Sequence, residues 1–282
     1  MLKLSHKRQK IPNNITQLQY IIDYSHYDIF RHNSHDFKIN ITQNITHVIL
    51  DDIYNMKIKI PQNTTHLTVG YHFNKKLKIS QNIIHLTFSD VFNHKIKIPK
   101  KITHLTVGYI FNKKIKIQQY ITHLKISVAN KIKISQNVIH LTIIYKKNNI
   151  NKIKIPHNII YLIFHDNGYY NNKTIIPNNV SHLHLGYSFN KKIIIPHNIT
   201  HLRFGKKFDK KIIIPQNVMY LTICDLFKQI ILPYNIKQLI IYDNNEYFKI
   251  ILPSNVKYIT NKIDMNVHGE EATLTSHILF WR

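Results

Sequence analysis

Glutamate is nearly missing from this 282-residue chain: Glu246, Glu270 and Glu271 are the only three, within an acidic total of 14 against 39 Lys+Arg. The abundant Ile, Asn, Lys and Tyr share AT-rich codons, but so does glutamate, so base composition accounts for many lysines and not for the missing acids. The resulting formal charge of +25 favours solubility and anionic partners and says nothing about fold. A single cysteine, Cys224, excludes an intramolecular disulfide and gives no support for an oxidising compartment. No apolar run approaches the roughly 20 residues needed to span a bilayer, and the basic start lacks a secretory apolar core. The expectation is a soluble, intracellular protein with no membrane partner.

Catalytic signatures are equally sparse. Phosphate loops, zinc-protease helices and nucleophile elbows do not occur. Asp51, Asp52, Asp90 and Asp225 read as loop residues without a periodic acid pair. The chain therefore reads as a non-enzyme, with no cofactor, no metal and no small-molecule substrate. Cys224 reads as a half-buried structural residue.

What is present is a repeat. With 44% hydrophobic residues the chain can bury a substantial core. All nine prolines fall in one register, whose zero positions are Pro12, Thr42, Pro61, Ser80, Pro99, Gln118, Ser135, Pro156, Pro177, Pro196, Pro215, Pro233 and Pro253. Most steps are 19 residues or within two of that, and only the first, of 30, is anomalous. Counted from zero, position +2 is Asn in eleven of thirteen coils, +6 is always Leu, Val or Ile, −1 is always Ile or Leu, and Phe recurs at −7.

From +3 to +8 a typical text is Ile102-Thr-His-Leu-Thr-Val107, whose period of two makes a strand. From −4 to −1, as in Lys95-Ile-Lys-Ile98, the same alternation predicts a second short strand that proline ends. Gly70, Gly108, Gly186 and Gly205 at +9 mark a sharp turn. The +2 Asn is expected to turn inward and bond the turn backbone. Proline every nineteen residues and the weight of β-branched side chains argue against helices. One coil cannot bury its six inward apolar positions alone, so coils must stack. The expected fold is all-β: a parallel-stranded, leucine-rich-repeat-like solenoid of about thirteen coils of ~19 residues with short terminal caps. Residues 1–36 would form an N-terminal cap with one partial repeat, 37–260 the solenoid and 261–282 a C-terminal cap.

The segments Phe189-Asn-Lys-Lys-Ile-Ile-Ile-Pro-His-Asn-Ile-Thr-His-Leu202 and Phe92-Asn-His-Lys-Ile-Lys-Ile-Pro99 closely resemble the FNIP repeat, known from social amoebae and from giant viruses that infect amoebae. The likeness covers roughly residues 37–260. It implies kinship with leucine-rich repeats, a role in protein interaction, and the host cytoplasm if the chain is viral. Some giant-virus relatives carry an N-terminal F-box, which would imply a ubiquitin-ligase substrate adaptor. Here Ile11-Pro12-Asn13-Asn14-Ile15 already reads as repeat, and no F-box segment is found.

Three columns could carry function. At +5 stand His47, His66, His85, His104, His123, His140, Tyr161, His182, His201 and Tyr220, with Tyr258 continuing the series. They are expected to face out on the concave side as a partner-binding ladder that becomes cationic below about pH 6.5. The plain alternative is a hydrogen-bonding surface belonging to the repeat. Metal binding is disfavoured, because no thiol or carboxylate column joins the imidazoles. At −4 and −2 a convex lysine ladder comprises Lys57, Lys59, Lys76, Lys78, Lys95, Lys97, Lys114, Lys116, Lys131, Lys133, Lys152 and Lys154. It could track a polyanion or simply discourage sheet aggregation. In the last five coils −2 becomes Ile175, Ile194, Ile213, Ile231 and Ile251, an apolar stripe that marks a contact surface unless the C-terminal tail covers it.

The leading expectation is a non-enzymatic interaction scaffold that binds a host or self protein along the +5 face. The alternative is a polyanion or nucleic-acid-surface binder working through the lysines.

Overall fold

The computed structural model describes residues 2–4, 11–12, 14–20, 40–52, 54–127, 132–145, 153–166, 175–224, 232–242 and 257–260. Within them one parallel sheet of 14 strands runs in strict chain order, and no helix occurs. Its strands are β1 (Leu2–Leu4), β2 (Gln17–Tyr20), β3 (His47–Leu50), β4 (His66–Thr68), β5 (His85–Thr87), β6 (His104–Thr106) and β7 (His123–Ser127). They continue as β8 (His140–Tyr145), β9 (Tyr161–Asp166), β10 (His182–His184), β11 (His201–Arg203), β12 (Tyr220–Cys224), β13 (Gln238–Tyr242) and β14 (Lys257–Thr260). The architecture is the expected all-β parallel solenoid of ~19-residue coils. About nine turns are laid out among the described residues, so the count of thirteen is not established.

Each coil gives the sheet one rung. Pairing brings like to like, His66 with His85, Leu67 with Leu86 and Thr68 with Thr87. Shifting this register by one residue would turn the buried leucines outward, which fixes the alignment. The anomalous first step leaves it intact, since Gln17 pairs with His47. At the other end Gln238 pairs with Lys257 and Leu239 with Tyr258. Tyr258 thus stands in the leucine column and not in the +5 column. Between β13 and β14 the ladder keeps the 19-residue step, whereas the prolines are one residue further apart.

Two tight turns close a coil. The carbonyl of position zero accepts from the N–H at +3, as in Pro61 to Thr64 (3.2 Å) and Pro99 to Ile102 (3.4 Å). The carbonyl at +9 accepts from the phenylalanine N–H three residues on, as in Gly205 to Phe208 (3.2 Å). Proline at zero lacks an N–H, and this position needs only a carbonyl.

The second strand, expected from −4 to −1, does not form. These segments alternate as foreseen, with Lys95 and Lys97 exposed and Ile98 buried, yet among the described residues no backbone–backbone bond joins them between coils. Stacked rings in the +5 column lie 3.9–4.3 Å apart, whereas those of the −7 column, Tyr54, Phe73, Phe92 and Phe111, lie 6.3–6.4 Å apart. A ladder requires strands roughly 4.8 Å apart. Beside the phenylalanines backbone bonds between coils do form, from the Ile110 N–H to the Asp90 carbonyl (2.9 Å) and from the Lys207 N–H to the Tyr187 carbonyl (3.0 Å), whereas none forms from −4 to −1 among the described residues.

One continuous core fills the coils. Positions −7, −1, +3, +6 and +8 are buried, as in Phe92, Ile98, Ile102, Leu105 and Val107, while −3 (Ile58, Ile96) packs at its edge. The polar exception at +3, Thr64, is fully buried and donates its hydroxyl to the Ile45 carbonyl of the preceding coil (3.3 Å). Glycine at +9 answers to close approach between coils: a Cβ on Gly108 would stand 2.0 Å from the Ser89 carbonyl oxygen, and one on Gly205 1.9 Å from that of Gly186. Cys224, in the same column, is fully buried rather than half-buried, and its thiol points at the Phe208 carbonyl (3.8 Å).

Candidate functional site

The outward side of the sheet is built from three neighbouring columns. Position +6 is buried in each coil from Leu18 to Leu239, so +5 and +7 emerge together, and +4 lies beside them where the chain enters the strand. The result is a band of hydroxyl, aliphatic and basic side chains around the +5 rings, complete as Thr, His and Thr in the coils of His66 and His104.

Its centre is a stack of rings. His47, His66, His85, His104, His123, His140, Tyr161, His182, His201 and Tyr220 lie face to face without a break, with centroids 3.9–4.3 Å apart and planes within 29° of parallel. All ten residues predicted for this column are therefore gathered into one continuous feature. The rung spacing of a parallel sheet places equivalent Cβ atoms roughly 4.8 Å apart, and flat rings close the remainder by leaning together.

A second set of side chains, not foreseen from the sequence, locks the rings. The hydroxyl at +4 sits against the imidazole Nδ1 in the pairs Thr46–His47 (2.8 Å), Thr65–His66 (2.9 Å), Thr103–His104 (2.8 Å), Thr122–His123 (2.9 Å), Ser181–His182 (2.8 Å) and Thr200–His201 (2.8 Å). The same hydroxyl reaches the +4 carbonyl of the preceding coil in Thr46, Thr65 and Thr200, at 3.1–3.3 Å. Where it donates to that carbonyl, it accepts Nδ1–H, which leaves Nε2 as the unprotonated ring nitrogen. The Thr-His dipeptide, repeated down the chain, was the legible signal for this pairing.

Burial in the stack pulls His66, His104, His123, His140, His182 and His201 down from 6.5 to about 4. His85 is lowered by the same burial, with the neighbouring imidazoles adding repulsion. A charged ring would have to shed solvent and face another ring 4 Å away. The expected switch to a cationic face near pH 6.5 is thus corrected: these rings stay neutral well below it. Parallel rings also aim their nitrogens side by side and not at a common point. Among the described residues no cluster of three or more His, Cys, Asp or Glu could hold a metal ion.

The lysine columns lie on another face. Lys57, Lys59, Lys76, Lys78, Lys95, Lys97, Lys114, Lys116, Lys133 and Lys154 are all exposed, while Lys131 and Lys152 lie outside the described residues. Position −2 keeps this outward direction when isoleucine replaces lysine: Ile175, Ile194 and Ile213 are 84%, 89% and 90% exposed. Ile231 and Ile251 lie outside the described residues.

Asparagine forms two ladders. The +2 Asn bonds turn backbone of the preceding coil: Asn44 and Asn158, half-buried, reach the +3 carbonyls of Ile15 and Val138, and the others donate to the +1 carbonyl, as in Asn63 to Gln43 (3.0 Å), Asn82 to Gln62 (3.0 Å) and Asn217 to His197 (2.9 Å). That carbonyl is left free by the turn, which makes the neighbouring coil the nearest acceptor. The Asn after each Phe, at −6, does the reverse. Its side-chain carbonyl accepts the N–H of the equivalent residue one coil on, as in Asn74 to Asn93 and Asn93 to Asn112, both at 3.1 Å.

Phenylalanine in the core, asparagine tying coil to coil and proline opening the turn are the elements of one known repeat. A family model of the FNIP repeat matches residues 73–110, 170–207 and 193–225. These stretches, about a third of the chain, match the FNIP repeat. Among solved structures, the solenoid of these FNIP repeats is similar to CroV588, a giant-virus protein described as having a novel circular LRR structure, with a TM-score of 0.58 and 27% identity. The match covers 89% of this chain and 40% of CroV588, so the chain spans well under half the length of that protein. No curated protein matches the sequence. An FNIP, leucine-rich-repeat-like solenoid is a fold typical of protein-interaction scaffolds. No helix among the described residues is long and apolar enough to cross a membrane.

Proposed function

We propose that this FNIP-repeat chain is a non-enzymatic scaffold that binds a protein partner, host or self, along the outward face of its sheet. The observation that carries the reading is the unbroken ten-ring stack. Stacked, hydroxyl-anchored rings have little rotamer freedom left to lose, so a partner meets a surface that is already ordered. Neutral imidazole and phenol edges offer hydrogen-bonding atoms beside apolar ring carbon, the combination that interfaces favour. Closer spacing of the +5 rings, 3.9–4.3 Å, than of the buried −7 rings, 5.9–6.4 Å, supports a bend toward the sheet, which would make this the concave side, facing a partner held within the curve. The circular form of CroV588 accords with such a bend.

Replacing His85, His104 and His123 together with Gln tests this in a pull-down from amoebal lysate. Loss of the captured partner by a variant that still melts cooperatively is the expected result. Full retention of the partner by a folded variant contradicts the reading.

A second reading rests on the exposed lysine columns, a face that could track a phosphate backbone. It requires retention on a nucleic-acid matrix that falls steeply as salt rises, and it is lost if the chain flows through at low salt.

A further inference from the structure

From Lys59 to Lys154, position −2 of the described coils is an exposed lysine; in the later ones it is an exposed isoleucine. Ile175, Ile194 and Ile213 stand on consecutive rungs, each more than four-fifths exposed, with the −4 lysines Lys192 and Lys211 exposed at their side. Because −2 faces outward in both halves, the stripe is no product of a local change in strand facing. Isoleucines aligned on one face and bordered by lysine call for an occupant that is apolar and carries some negative charge.

We propose that the occupant is this chain's own C-terminal segment, residues 261–282, which lies outside the described residues. Two of the three glutamates in the whole chain, Glu270 and Glu271, fall there, with Asp264 against Lys262 and Arg282, a net of 2 − 3 = −1 in a protein of net +25. It ends in Ile278-Leu279-Phe280-Trp281, its most apolar stretch. Reach is ample. Four rungs separate the coil of β14 from that of Ile175, roughly 20 Å at sheet spacing, while 22 residues extend to about 70 Å. Charge disfavours the rival occupant of a second copy, whose stripe is bordered by the same lysines. Docking of the segment covers the isoleucines, and places Glu270 and Glu271 within reach of the flanking lysines.

Trp281 is the chain's one tryptophan, so its fluorescence reports on this segment alone. In the full chain its emission should be blue-shifted and resistant to acrylamide. Replacing Ile194 and Ile213 together with Lys should shift it to the red and open it to quenching. Both sites are 89–90% exposed, so the melting curve should not move. Glu270→Lys with Glu271→Lys should loosen the segment in the same direction without touching the solenoid. Solvent-like emission in the unmodified chain, or emission indifferent to the isoleucine substitutions, overturns the proposal. So does a blue shift that appears only at high protein concentration, which assigns the stripe to a second copy. A blue shift that requires anionic phosphatidylserine vesicles overturns it in favour of a membrane surface.

Discussion

At the scale of single residues, contacts between equivalent atoms of successive coils decide what is tolerated. A Cβ at Gly205 would stand 1.9 Å from the Gly186 carbonyl oxygen, and the obstacle is backbone that cannot swing aside. Gly205→Ala should cost on the order of 3 kcal/mol, read from chemical denaturation. Phe92 is fully buried and stacked between Phe73 and Phe111, so Phe92→Ala should cost about 3–5 kcal/mol by the same measure. The buried columns were legible beforehand because a core admits only apolar side chains at fixed intervals. The asparagines were legible as a column but not in their direction, since spacing shows that a polar group recurs and not which coil satisfies it. Cys224 was misjudged for a related reason: burial at +9 comes from the neighbouring coil.

At the scale of the coil, one strand and two turns replace the expected pair of strands. Alternation of Lys and Ile from −4 to −1 described the facing of side chains correctly, but a ladder also depends on the distance to the next coil, which a single coil's text does not contain. Amide exchange separates the two segments. The N–H groups of Leu105, Thr106 and Val107 should exchange slowly, since the ladder and the bond from Val107 to Lys125 (2.9 Å) protect them. Those of Lys95, Ile96 and Lys97 should exchange orders of magnitude faster. Equal protection of both would restore the second strand. The Thr-His pairing belongs to this scale too, and Thr103→Val should free the ring of His104 to reorient and raise its pKa toward that of an unstacked histidine.

At the scale of the molecule, the ring stack couples folding to acidity. Six of its histidines titrate at about 4 when folded against the ordinary 6.5 when unfolded, so between these values the unfolded chain binds more protons. Stability therefore declines as pH falls from about 6.5 toward 4 and is regained as pH rises. Melting temperatures measured at pH 7.5, 6, 5 and 4.5 should fall in that order; a flat profile would mean that the rings carry no such linkage. Near neutrality the ring column is uncharged, with Lys125 and Arg203 beside it at +7, while the lysine face carries many charges, so salt should weaken polyanion binding far more than binding along the rings. The central claim, a column of neutral imidazoles stacked on the outward face of the sheet, is tested most directly by NMR titration of the histidine Cε1–H signals in the intact chain. Six of them should hold their neutral shifts down to about pH 4. Titration of all the histidines together near 6.5 would contradict it.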